Sequence, residues 1–151
     1  MDSFVEPHLH ALEDLTRQVV ETVTPLDDEQ INRTVAGLQN SVGILLRHMA
    51  GSERYWIGEV AGGRPAHRNR DTEFGHEPLR KSELLAELER VTALSREVIG
   101  GISRDDLMTL VDVQRTKVAK ETKAFALMHA TQHLAYHLGQ LRYLAKLVQA
   151  A

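Results

Sequence analysis

The chain has no cysteine. That excludes disulfides, a cysteine nucleophile and thiolate zinc sites, so any metal site must use histidine, aspartate, glutamate or backbone oxygen. No apolar run approaches the roughly 20 residues that a membrane-spanning helix needs. Aromatic residues are scarce, at 5% with a single tryptophan. Neither sign of charge dominates: 18 Lys and Arg against 21 Asp and Glu leave a formal −3. No basic excess asks for nucleic acid, and no basic run asks for a membrane surface. The opening MDSFVEPH is acidic and lacks the apolar stretch of a signal peptide, so the cytoplasm is the expected location.

What remains is an ordinary globular composition. The 151 residues are 42% apolar and 26% charged, enough for one core and one domain over residues 1–151. The 4 prolines fall where a helix would start or has stopped. Four long amphipathic patterns stand out. The first runs from about Ser3 to Val23, with Asp2 or Ser3 as cap and Leu9, Leu12, Leu15, Val19 and Val23 on one face. A short turn over Asp28–Asn32 follows. The second runs from about Asn40 to Ala61, capped by Asn40 or Ser41 and stopped by Gly62-Gly63. The third runs from about Leu79 to Ile99 with Leu84, Leu88, Val91, Leu94 and Val98 as its stripe. The fourth runs from about Thr122 to Val148 and buries Leu127, Ala130, Leu134, Leu138, Leu141, Ala145 and Val148.

Between the second and third lies GGRPAHRNRDTEFGHEP, a charged crossover loop of about 15 residues, unusually long for a compact domain. Ser103–Asp106 reads as a capping-box turn, and Val111–Lys120 as an extended connection with poor strand signal. The expected fold is all-α: a four-helix bundle with one long crossover.

The fourth helix carries HATQHLAYHLGQL, with histidines at 129, 133 and 137. At about 100° per residue, His137 falls beside the apolar face and His133 about 40° further round. His129 lies about 40° beyond that and is expected to be peripheral. His133 and His137 are one helical turn apart and can chelate one ion. The sequence HLAYH has no glutamate in second place, so the HExxH protease motif is absent. Spacing alone leaves open a buried histidine that hydrogen-bonds a carbonyl. His48, alone on the second helix, is the candidate third ligand, because bundles build metal sites from facing helices. His8, His10, His67 and His76 are expected to be solvated.

These pieces resemble one family. NSVGILLRHMAGSERYWIGEVAGG (Asn40–Gly63) and LMHATQHLAYHLGQLRYL (Leu127–Leu144), with HLGQ at His137–Gln140 as the most specific fragment, resemble the DinB-like (DinB/YfiT) superfamily of small metalloenzymes. The order of elements agrees over nearly the whole chain. The resemblance implies up-down-down-up topology and a divalent metal on His48, His133 and His137. Tyr136-His137-Leu138 stands where many members have adjacent histidines, which leaves the triad intact. Some members resemble thiol S-transferases that use bacillithiol or mycothiol, others mycothiol-dependent maleylpyruvate isomerases.

Three imidazoles leave an open coordination position, the mark of a catalytic site. The expected function is a metal-dependent enzyme, a thiol-dependent S-transferase or related hydrolase acting on a small electrophile. Zinc is expected before nickel, with an external low-molecular-weight thiol as a second cofactor. The alternatives are a non-catalytic, stress-related metal- or ligand-binding bundle and a purely structural use of the histidines. Trp56 is placed either as cavity wall or as core, and Gln140 either as a residue orienting a ligand ring or as part of a helix contact. Glu53 and Glu59 are general-base candidates, although acids on a helix surface are ordinarily solvated. Arg64, Arg68 and Arg70 either attract an anionic thiol or are solvated among Asp71 and Glu73. Pairing of two copies through helix faces is expected.

Overall fold

The computed structural model describes residues 1–114 and 117–150. Helix α1 spans Glu6–Val23, α2 Asp28–Asn32, α3 Val42–Glu53, α4 Arg70–Glu73, α5 Lys81–Gly100 and α6 Lys123–Ala150. Strands β1 (Leu110–Asp112) and β2 (Lys120–Thr122) form a small antiparallel ribbon that pairs Val111 with Glu121. The fold is thus mostly helical with one two-stranded ribbon, where no strand was expected. The segment expected to be an unpaired extended connection folds back on itself, and its positions 115 and 116 lie outside the described residues, as does position 151.

Most helix boundaries follow local chemistry. Ser41 caps α3, its Oγ accepting from the Ile44 N–H at 3.2 Å. Asp27 and Gln30 close a reciprocal capping box on α2, and Ser103 and Asp106 do the same at the 3-10 turn Asp105–Met108. Helix α1 starts three residues later than expected. The Asp2 carboxylate, expected as a cap, accepts instead from the Phe4 and Arg104 N–H groups, each at 2.9 Å. It therefore holds a turn against the 3-10 segment, and the helix begins beyond it with Pro7 in the first turn.

The second expected helix has the right length and the wrong winding. At Arg54 it passes into a π-helix that continues to Ala61. A π-helix puts more residues in each turn, and such segments concentrate at functional sites. Gly63 then takes a φ of +66°, which ends the element and turns the chain into the crossover.

The crossover is not a free loop. It carries α4, and Arg47 on α3 pins it: Nε donates to the Glu73 carbonyl at 2.9 Å, Nη2 to the Gly75 carbonyl at 2.7 Å, and the guanidinium pairs with Glu77. Its other end is fastened by the Asn32 side chain, which donates to the Leu79 carbonyl at 2.7 Å and accepts from the Leu79 N–H at 2.8 Å.

The four long helices share one core. Helix α6 lies against α1 and α3, and α5 lies against α1, α3 and the π-helix. The expected core face of α6, from Leu127 to Val148, is buried throughout. So are Leu84, Leu88, Val91 and Val98 of α5, whereas Leu94 is half-buried and Ser95 takes the buried position beside it. Among the described residues no helix is long and apolar enough to cross a membrane.

Candidate metal centre

His48 is buried on α3 and faces α6, where His133 and His137 sit one turn apart. Its Nε2 lies 2.9 Å from His133 Nε2. The rings of His48 and His137 are 4.9 Å apart at centroid, and those of His133 and His137 are 4.4 Å apart. One nitrogen from each of the three lies within 4.8 Å of the others.

Two partners orient the rings. His48 Nδ1 donates to Glu73 Oε2 at 2.8 Å, which leaves Nε2 as the lone-pair nitrogen. His137 Nδ1 stands 2.7 Å from Gln140 Oε1, while the other end of that amide donates to Tyr136 Oη at 3.4 Å. That arrangement leaves His137 Nε2 with a lone pair as well. A carboxylate or amide on the far nitrogen is how metal-binding imidazoles are ordinarily held.

Glu73 is itself clamped. Arg68 donates Nε to Oε1 at 2.6 Å and Nη2 to Oε2 at 2.8 Å, and both side chains are buried. Burial alone would raise the Glu73 pKa, but the Arg68 and then the His48 hydrogen bonds outweigh it and hold it down at about 2. The carboxylate is therefore ionised and a strong acceptor. Burial pushes His133 down to about 3, helped by the neighbouring His137, His48, His129 and Arg68 charges. It lowers His137 too, against an opposing hydrogen bond from Gln140. Neutral imidazoles are the ligating form, so the donor set fits a divalent transition ion.

The triad opens into a cavity of about 740 Å³. Trp56 forms one wall, although it is only 4% exposed; it serves both as core and as lining. His129 was expected at the periphery and is instead a second wall. The π-helix carries Trp56 round to it, ring centroids 4.3 Å apart, and Phe125, 5.6 Å from His129 and 5.9 Å from Trp56, completes a three-ring cluster. The angle of His129 from the apolar face of its own helix carries no information about Trp56, a neighbour from another element. Arg68 and Arg70 also line the cavity, whereas Arg64 pairs with Glu97 at the surface. Glu53 is buried but turned to α5, where it accepts from Ser95 Oγ at 2.6 Å, so it is neither solvated nor beside the triad. Glu59 accepts from the Ala66 N–H at 2.7 Å, outside this cavity.

The pair that the sequence does not announce is Arg68–Glu73: neither an anion-attracting Arg68 nor a solvated one implies that the two side chains are buried together. One sign of it was legible: Phe74 is the single aromatic of the crossover, and its ring packs 4.8 Å from His48. An apolar anchor in a charged loop means that the loop is laid down on something.

Fold and site define a helical protein with three histidines gathered at a cavity, a group that could hold a metal ion. The chain belongs to the DinB superfamily, whose family model matches residues 11–141. None of the curated proteins matches it. Its fold is similar to that of a conserved protein from Enterococcus faecalis known from a crystal structure. The TM-score is 0.75 at 20% identity, over 100% of this chain and 99% of that one. At that identity the likeness speaks for the fold alone.

Proposed function

We propose that the chain is a metal-dependent enzyme in which His48, His133 and His137 hold one divalent ion, zinc before nickel. The reaction is a thiol-dependent S-transfer, or a related hydrolysis, on a small electrophile. The single observation that carries this is a convergent three-imidazole group at the floor of an open cavity. A site plugged by core side chains would have favoured a non-catalytic binding protein.

When bound, such an ion lowers the pKa of a coordinated water or thiol and so supplies a nucleophile near neutral pH. The chain's own part is positional. Glu73 and Gln140 fix the two outer rings, Arg68 keeps Glu73 charged, and Trp56 and His129 wall the space for the electrophile. With no cysteine, the thiol must come from a cofactor. The same reading takes the four long helices as an up-down-down-up bundle, which their mutual packing supports. It also takes the working form as a homodimer, supported by the exposed Met128, Tyr136, Tyr143 and Leu147 along α6.

The test is turnover by zinc- or nickel-loaded protein of a panel of low-molecular-weight thiols with a chromogenic electrophile. Thiol consumption, or hydrolysis without thiol, that disappears in His137→Ala is the expected result. Loaded protein that accelerates neither reaction contradicts the reading.

A further inference from the structure

The charges around the cavity do not balance. Its lining holds two arginines, Arg68 and Arg70, and no aspartate or glutamate among the described residues. The buried Arg68 is neutralised by Glu73. The three triad imidazoles would bring a divalent ion no compensating negative charge. Arg70 makes no ion pair among the described residues, and its guanidinium lies 5.0 Å from the centre of the Phe74 ring. Trp56 and His129 line the same cavity with ring centroids 4.3 Å apart, and the His129 ring makes no hydrogen bond among the described residues.

We infer that the cavity takes a small organic anion: a molecule with one carboxylate and a planar apolar body. Arg70 would meet the carboxylate, a cation held by the triad would add its attraction, and the body would lie along Trp56 and His129. A guanidinium is built for carboxylate, and with Arg68 neutralised by Glu73, Arg70 is the lining charge left without a counter-charge among the described residues, which favours an anion. The aromatic wall supplies the apolar area that a bare inorganic anion cannot use. This assignment rests on the metal reading above and names its ligand class.

Trp56 is the only tryptophan of the chain, so its fluorescence reports occupancy directly. Zinc-loaded protein is titrated with phenylacetate, with its uncharged isostere phenylacetamide and with inorganic phosphate, and the zinc content of each sample is measured alongside. Phenylacetate is expected to bind roughly tenfold or more tighter than either of the others, a difference of about 1.4 kcal/mol. Arg70→Gln is expected to remove most of that preference. Arg64→Gln, which alters an arginine outside the cavity, is expected to keep it. Equal binding of acid and amide by protein that holds its zinc overturns the anion assignment and leaves the metal reading standing. So does an Arg70→Gln variant that retains the full preference. Preference for phosphate over phenylacetate assigns an inorganic anion instead and also overturns it. Wild-type protein that holds no zinc overturns the metal reading and this assignment with it.

Discussion

Glu73 joins two parts of the molecule that are distant in sequence, the crossover and α3. It anchors the crossover, neutralises Arg68 and sets the tautomer of His48. Glu73→Gln keeps the shape and removes the charge. Loss of such a partner to a ligating histidine typically costs 10–100-fold in metal affinity, and that is the expected drop, read by competition with a chelating dye. An unchanged affinity would mean that His48 is held by packing alone. Glu73→Ala also strands the buried Arg68 guanidinium. It should destabilise the metal-free fold by about 3–5 kcal/mol, measured by urea unfolding.

At the scale of elements, α4 seats on α3 because position 51 has no side chain. A Cβ on Gly51 would stand 2.9 Å from Glu73 Cδ, and Glu73 cannot swing aside without leaving Arg68 and His48. Gly51→Ala should therefore cost about 1–3 kcal/mol and weaken metal binding together with it. A variant as stable as wild type with full metal affinity would show that α4 has another seat.

The helices themselves were legible. The apolar period places α5 and α6 to within two residues at each end, and the apolar face of α6 is buried as its pattern requires. The convergence of His48 on His133 followed from bundle logic. Three features were not legible, each because a tertiary contact decides it. The π-helix has no cap or proline to announce it. The β1–β2 ribbon pairs segments too short to carry a period. The burial of Arg68 and Glu73 depends on Arg47 and Gly51, residues that read locally as plain helix.

For the whole molecule, acid acts through opposed groups: burial pushes the Glu53 carboxyl up, so its protonation favours the folded chain, whereas His133 and Glu73 are pushed down and disfavour it. His133 binds its proton at about 3 in the folded chain, against an ordinary 6.5. Between those values the unfolded chain carries more protons, so stability falls as pH drops. Glu73 titrates at about 2 folded, against an ordinary 4.5. Its contribution is whole above about 4.5 and is lost as pH falls toward 2. Between pH 7 and pH 4.5 the urea midpoint of metal-free wild type should thus lose more than that of His133→Ala, and below pH 4.5 the loss of the Glu73 contribution should steepen the decline. The same pH dependence in wild type and His133→Ala would show that the buried histidine does not couple to folding. Protons compete for the ligating nitrogens, so metal affinity should fall over the same upper range.

The proposed function turns on the three imidazoles holding an ion. The direct measurement is metal content by plasma mass spectrometry on tag-free protein, wild type against His133→Ala, with helicity followed by circular dichroism. The account predicts about one equivalent of transition metal in the wild type, and its loss in the variant while the helices remain. No metal in the wild type, even after reloading with zinc and nickel, would contradict it and leave a helical protein whose histidines are structural.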